Sequence, residues 1–366
     1  MKKIIVLIIV ALIIAGCSED PSQIQSQIQS QIQSQTHSKT QSQTYISETQ
    51  DETQNTPAPP QTLEKDQSPE TQSSTPQSYT RKDLAKFKGL WAPPGEDLLD
   101  SEKEIKELGV NIIPVEIGYC IRNREFKQIS FGPPIYDPEK EVIKKIEAAH
   151  RSGFAVFLEI NTMIPECEIE IADKDYFIEN FVQESKKWAE IAEKYQVELF
   201  SPLNEPNLVL GERGLEWAQK VLPSVKEVYK GDVVLKIADR PRAGNYSGYD
   251  YLAIDIFPGE VEYWREDIRN AVSEMNSVVK KYGLKGGFIG EIGVPTQIGP
   301  DDDESLIAGK MVDRKTQAKI FQIAFEEAWN KTDGFFVLAW AKDLKSTYNF
   351  HGFEAENVVR DWYTQR

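Results

Sequence analysis

Histidine is nearly absent from this chain. His37, His150 and His351 are the three in 366 residues, too few for a multi-histidine metal site. Cysteine is as scarce: Cys17, Cys120 and Cys167 neither build a disulfide scaffold nor match a zinc pattern. Positive charge is in deficit, with 42 Lys+Arg against 58 Asp+Glu and a net charge of −16. A chain this acidic argues against nucleic-acid binding, which needs cations to displace phosphate counterions. No Gly-x-Gly-x-x-Gly follows the first strand-like segment, where Phe87–Ala92 runs into Pro93 and Pro94; this argues against a dinucleotide fold. No glycine-rich phosphate loop follows the last two strand-like segments, which weakens a sugar-phosphate enzyme. No metal and no organic cofactor is expected.

What is present is unevenly distributed. Two lysines precede an apolar run from Ile4 to Ala15, the layout of a signal peptide and short for a membrane-spanning helix. The end of the run, Ile14-Ala15-Gly16-Cys17, resembles the lipobox of secreted lipoproteins. That resemblance implies cleavage before Cys17, a lipid on its sulfur, and attachment to the extracellular face of the cell membrane. An uncleaved N-terminal anchor is the alternative. Residues 1–17 are thus read as the signal segment, and 18–80 as a disordered tether. In the tether, serine recurs every four residues from Ser22 to Ser42, and prolines cluster at Pro57, Pro59 and Pro60. Too little apolar surface is available there to offset chain entropy. A coil of about 60 residues spans roughly 45 Å, enough to hold a domain clear of a surface.

From residue 81 to 366 the chain alternates strand-like and helix-like segments. The strand candidates are Phe87–Ala92, Val110–Ile117, Phe154–Ile160, Val197–Leu203, Val233–Ala238, Tyr251–Phe257, Gly286–Gly290 and Phe335–Trp340. They are apolar runs, as expected of parallel strands covered on both sides. Helical spacing is clear in Phe177, Phe181, Trp188 and Ile191, and again in Trp264, Ile268, Val272 and Met275. Eight strand–helix units in this length fit an α/β (β/α)8 TIM barrel, with a doubly wound sheet as runner-up.

In such a barrel the chemistry sits at the C-terminal ends of the strands. The fourth segment ends Asn204-Glu205-Pro206 and the seventh ends Gly290-Glu291. Two carboxylates pointing across one mouth suit a retaining glycosidase, one as nucleophile and one as acid/base. Each has a plainer reading: Glu205 as a cap of the following helix, Glu291 as an exposed loop acid. Trp340, at the end of the eighth segment, offers an aromatic floor for a sugar ring.

On these residues the chain from about Phe87 to Trp362 resembles glycoside hydrolase clan A, and within it the β-mannanase and cellulase-like families. The resemblance implies Glu205 as acid/base, Glu291 as nucleophile and Asn204 as partner of the sugar 2-hydroxyl. It departs from the clan pattern in lacking histidine on the third and sixth strands, which read Glu159-Ile160-Asn161 and Asp255-Ile256-Phe257. Asp255 is a candidate replacement, and Arg122 or Arg124 a candidate cation for the nucleophile. Glu116 and Glu159 interrupt apolar strands and, with Asn161, are candidate substrate contacts. Trp91, Tyr119, Tyr246 and Tyr249 are candidate stacking rings, and Asp239, Arg240 and Arg242 a candidate rim. Cys120 and Cys167, on neighbouring loops, are left open between a disulfide and free thiols. Asn245 and Asn330 head glycosylation sequons, and residues 301–304 form an acid run read as a solvated loop with a calcium site as the lesser reading.

The expected protein is a membrane-tethered, monomeric retaining glycoside hydrolase acting on a β-linked oligo- or polysaccharide. A non-catalytic carbohydrate-binding lipoprotein on the same scaffold is the alternative, and a barrel hydrolase or lyase of another class the third reading.

Overall fold

The computed structural model describes residues 79–365 except 94–96, 123, 130–137, 164–170, 172, 258, 260, 297–310 and 343–345. The signal segment with Cys17, nearly all of the tether, Cys167 and the acid run at 301–304 lie outside the described residues. Cys120 is disulfide-bonded.

Nine strands form one sheet. They are β1 (Phe87–Trp91), β2 (Ile112–Arg122), β3 (Glu125–Ile129), β4 (Ala155–Asn161), β5 (Leu199–Ser201), β6 (Asp232–Ala238), β7 (Tyr251–Ile256), β8 (Gly286–Gly293) and β9 (Gly334–Leu338). Their order is β1-β9-β8-β7-β6-β5-β4-β2-β3, and a further parallel pairing of Gly89 with Ile112 joins β1 to β2. Eight parallel strands therefore close into a barrel, and β3 hangs outside as an antiparallel hairpin on β2. Each of the eight predicted segments contributes one barrel strand. The hairpin was not predicted: β2 runs on past Ile117 to Arg122, and Phe126 of β3 packs edge-on against Phe177 and Phe181.

The helices are α1 (Glu102–Glu107), α2 (Pro138–Arg151), α3 (Lys174–Lys194), α4 (Pro206–Val209), α5 (Gly214–Val228), α6 (Trp264–Tyr282), α7 (Arg314–Ala328) and α8 (Glu354–Gln365). Their apolar stripes cover the outside of the barrel. Asp173 and Asp313 start α3 and α7 by accepting from the backbone N–H groups of Tyr176 and Thr316.

Alternation along each strand separates two cores. Outward residues such as Val233, Leu235 and Ile237 pack under the helices. Inward residues fill the barrel: Phe87, Phe157, Leu199, Val234, Ala253, Phe288 and Phe336 form one buried cluster. Gly89 on β1 is required by close approach, because a Cβ there would sit 2.2 Å from the Phe336 ring. Above this aromatic layer the next inward residues are Glu159, Lys236 and Asp255, so the interior turns from apolar to charged toward the mouth.

The chain enters at the opposite end. The Tyr79 ring stacks on His150 with centroids 3.6 Å apart, and its hydroxyl donates to Glu198 at 2.7 Å. Arg81 pairs with Glu193 and donates to the Val197 carbonyl at 2.7 Å. Tyr79 and Thr80, assigned by sequence to the tether, thus belong to the domain. They lie beside the starts of β4 and β5, below the aromatic layer.

Candidate active site

Glu205 reaches the mouth through an unusual backbone. Strand β5 has three residues, after which Asn204 bridges to Lys236 and the Glu205 N–H donates to the Lys236 carbonyl at 3.1 Å. Glu205 itself is left-handed, with φ 45° and ψ 54°, a conformation that costs a non-glycine residue about 1 kcal/mol or more. Pro206 then opens α4 with its fixed φ. Glu205 stands at the N-cap position of α4, but its side chain makes no capping bond and is left for the mouth. It is 7% exposed. Burial, then the neighbouring Glu291 carboxylate, push it up to about 7, against the pull of Lys236.

Glu291 owes its direction to a bulge. Strict alternation from the inward Phe288 would turn Gly290 inward and Glu291 out. Instead the register slips: Ile254 pairs with Ile289, but Asp255 pairs with Glu291. The extra residue re-aims the glutamate into the barrel beside Asp255. Gly290 is obligatory there, since a Cβ would meet Asp255 Oδ1 at 2.6 Å and Lys236 Cε at 3.1 Å. The carbonyl of Gly290 accepts from the Trp91 indole N–H at 2.8 Å.

Lys236 occupies the centre. Its ammonium has no solvent exposure and lies 2.5 Å from Glu291 Oε1, 3.1 Å from Asp255 Oδ2, 3.2 Å from Glu159 Oε2 and 2.9 Å from Asn204 Oδ1. It also stands 4.8 Å from the centroid of the Trp91 ring. Burial alone would discharge this lysine, but Asp255, Glu159, Glu291 and Glu205 hold its pKa well above the ordinary value. Burial raises Glu159 to about 8 and Asp255 well above the carboxylate range, with Lys236 opposing both. Burial also raises Glu116, which accepts from Asn161 Nδ2 at 3.1 Å.

These residues border a cavity of about 700 Å³. Glu205, Glu291, Asn204, Asn161, Asp255, Glu116 and Trp91 line it, so most of the predicted site is brought together. Other predicted members are not. Trp340 is 2% exposed and packs edge-on against His351, away from the cavity. The reason is that β9 ends at Leu338: Ala339 then pairs with Tyr348 and Phe350, which brings Tyr348 to the cavity wall instead. Tyr119 points outward from β2, where its hydroxyl donates to Glu184 and accepts from the Trp188 indole. Tyr246 and Tyr249 are buried, bonded to Arg242 and to the Ala218 carbonyl of α5. Glu159 is fully buried and reaches Lys236 rather than the cavity surface. Asp239 lines the cavity, whereas Arg240 pairs with Asp267 and Glu274 on α6. Arg124 pairs with Asp173 on the surface, so it is not the cation beside Glu291, and the Arg122 side chain lies outside the described residues.

Sequence reasoning missed Lys236. Its signal was a lone charge inside the apolar run Val233–Ala238, the criterion that picked out Glu116 and Glu159. It also missed Phe257 and Tyr348, which meet at 6.0 Å on the cavity wall, and Leu208, 56% exposed on the rim. Among the described residues no group of His, Cys, Asp and Glu is arranged to hold a metal ion.

Comparison with solved structures finds the same barrel. A β-mannanase of glycoside hydrolase family 113 from Alicyclobacillus acidocaldarius superposes with a TM-score of 0.60 at 17% identity, covering 77% of this chain and 98% of that one. A β-1,4-mannanase of the same family gives 0.60 at 19% identity, covering 77% and 99%. A β-glucuronidase from Ruminococcus gnavus gives 0.54 at 12% identity, with 77% of this chain matched to 50% of that one. No curated protein matches the chain. The sequence model of Glycoside Hydrolase Family 113 matches residues 86–355, most of the barrel and of the chain, and the protein belongs to that family.

Proposed function

We propose that this glycoside hydrolase cleaves a β-linked mannan with retention, Glu291 acting as nucleophile and Glu205 as acid/base. The observation that carries the reading is the unequal setting of two glutamates on one cavity. Glu205 is buried without a bonded cation and is pushed up to about 7, so it holds a proton to give. Glu291 lies 2.5 Å from an ammonium. A buried carboxyl without a bonded cation beside one held by an ammonium supports these two roles.

In the first step Glu291 attacks the anomeric carbon as the bond to the leaving oxygen breaks, and the Glu205 proton passes to that oxygen. In the second, the Glu205 carboxylate takes a proton from water. The water oxygen then bonds to the anomeric carbon and Glu291 leaves. Asn204 is suited to hold the sugar 2-hydroxyl. Trp91, Phe257 and Tyr348 supply aromatic surface for the sugar faces, and Leu208 an apolar lip.

A neutral sugar is favoured over a uronic acid. The surface-facing carboxylates Asp97, Glu141 and Asp239 border the cavity, outnumbering Lys145, and would repel a substrate carboxylate. The family neighbours named β-mannanases support mannan specifically. Lipidation at Cys17, and with it residence on the outer membrane surface, is part of the proposal, as is a monomeric state.

The test is turnover on β-mannan, β-glucan and β-galactan. Glu291→Gln should lose several orders of magnitude. Glu205→Ala should retain its first step on activated aryl glycosides and be rescued by azide. Full activity in both variants would overturn the assignment. Binding of mannan without any hydrolysis by the native protein would favour a carbohydrate-binding role.

A further inference from the structure

Lys236 is a fully buried cation at the floor of the site, and its surroundings are unusual enough to suggest a role. An ammonium with no exposure is costly unless every donor is met. Here it faces Glu159 from β4, Asp255 from β7, Glu291 from β8 and the Asn204 oxygen from the segment after β5. Glu205 and Glu116 complete the ring of carboxyl groups around the cavity. One ammonium among these carboxyls cannot keep all of them ionised. The contact lengths show which it favours: Glu291 is the nearest at 2.5 Å, against 3.1 Å for Asp255 and 3.2 Å for Glu159. Glu291 also has the most exposed side chain of the three, at 17% against 0% for the other two.

The bond to Asn204 carries a second consequence. An ammonium only donates, so it fixes the amide oxygen inward. The amide NH2 is then left to point the other way, toward a sugar hydroxyl.

We infer that Lys236 is a positioning residue: a buried ammonium that keeps Glu291 as the carboxylate and sets Asn204 with its amide NH2 toward the substrate. Glu159 and Asp255 anchor the ammonium and compete with Glu291 for it. The inference rests on Glu291 being the nucleophile and goes beyond it.

The experiment is covalent labelling by a 2-deoxy-2-fluoro-β-mannosyl fluoride, followed by intact mass between pH 4 and 9. Fluoride leaves without help from the Glu205 proton, so the labelling rate reads the ionisation of Glu291. Lys236→Met, close in shape and uncharged, should move the acid limb of labelling up by about one pH unit or more. The variant should recover toward the native rate at high pH. A folded Lys236→Met protein with the native limb overturns the inference. Should that variant not fold, Lys236→Gln, uncharged but able to hydrogen-bond the same carboxyls, decides by the same limb: an upward shift is expected and an unmoved limb overturns the inference. Failure of the underlying reading looks different: the native protein would label at no pH, or would carry the label on a residue other than Glu291.

Discussion

The indole of Trp91 donates to the carbonyl of Gly290 at 2.8 Å, tying the end of β1 to the residue that precedes Glu291. The two strands are not neighbours in the barrel, since β9 lies between them. The bond therefore reaches over β9 and braces the bulge that aims Glu291, the proposed nucleophile. Trp91→Phe keeps the ring beneath Lys236 and leaves the carbonyl unpaired. A lost buried hydrogen bond is worth about 0.5–1.5 kcal/mol. We expect kcat to fall by up to about tenfold with little change in KM, read from steady-state kinetics on mannan oligosaccharides.

Gly290→Ala tests the same bulge from the other side. The new methyl would press on Asp255 and Lys236, both held by the barrel interior. We expect a folded protein with kcat lowered by about 100-fold or more. A variant of native activity would show that the site tolerates a shifted Asp255.

The pH dependence follows from Glu205. Its pKa in the folded chain is raised to about 7, so as the proposed acid it carries its proton below that value and loses it above. The alkaline limb of kcat/KM should fall near pH 7 and disappear for Glu205→Gln acting on an aryl glycoside that needs no protonation. Stability carries the same sign. Between its ordinary 4.5 and about 7 the folded chain binds the proton and the unfolded chain does not. The contribution of Glu205 is thus present at pH 4.5 and lost as pH rises through 7. Melting temperatures of Glu205→Gln relative to the native protein should rise across that window.

The entry segment should matter for folding. Buried Glu198 accepts from the Tyr79 hydroxyl and the Val156 N–H and meets His150 at 3.2 Å. Burial raises its pKa, but these partners together win and hold it below the ordinary 4.5. Its stabilising contribution is therefore present above pH 4.5 and lost as pH falls. A chain beginning at Asp83 should be less stable than one beginning at Ser78 by about 1–3 kcal/mol in urea denaturation at pH 7. Equal midpoints would place Tyr79–Lys82 in the tether.

The barrel interior sets the largest expected loss. Phe336 is fully buried against Phe157, Phe288 and Trp91. Phe336→Ala should cost about 3–5 kcal/mol, seen as a lowered denaturation midpoint.

Much of this protein is written in local pattern. Eight apolar runs separated by amphipathic helices determine an α/β fold with parallel strands, because runs apolar on both faces must be covered on both; closure into a barrel is decided by the pairing of β1 with β2. The strand-end rule then selects Asn204, Glu205 and Glu291 without knowledge of any contact. What the sequence by itself did not decide is direction. Alternation places Glu291 outside the barrel, and a register slip visible in the paired strand turns it in. Trp340 stands where a stacking ring is expected, yet the chain beyond Leu338 pairs with Tyr348 and Phe350 and exchanges one aromatic for another. Tyr119 falls on an outward position because β2 keeps its alternation past Ile117 into a hairpin with β3. Lys236 shows the limit most plainly. A lysine in an apolar run is legible as an anomaly, but that its ammonium meets carboxylates from three other strands is a property of the closed ring, which brings together charges far apart in the chain.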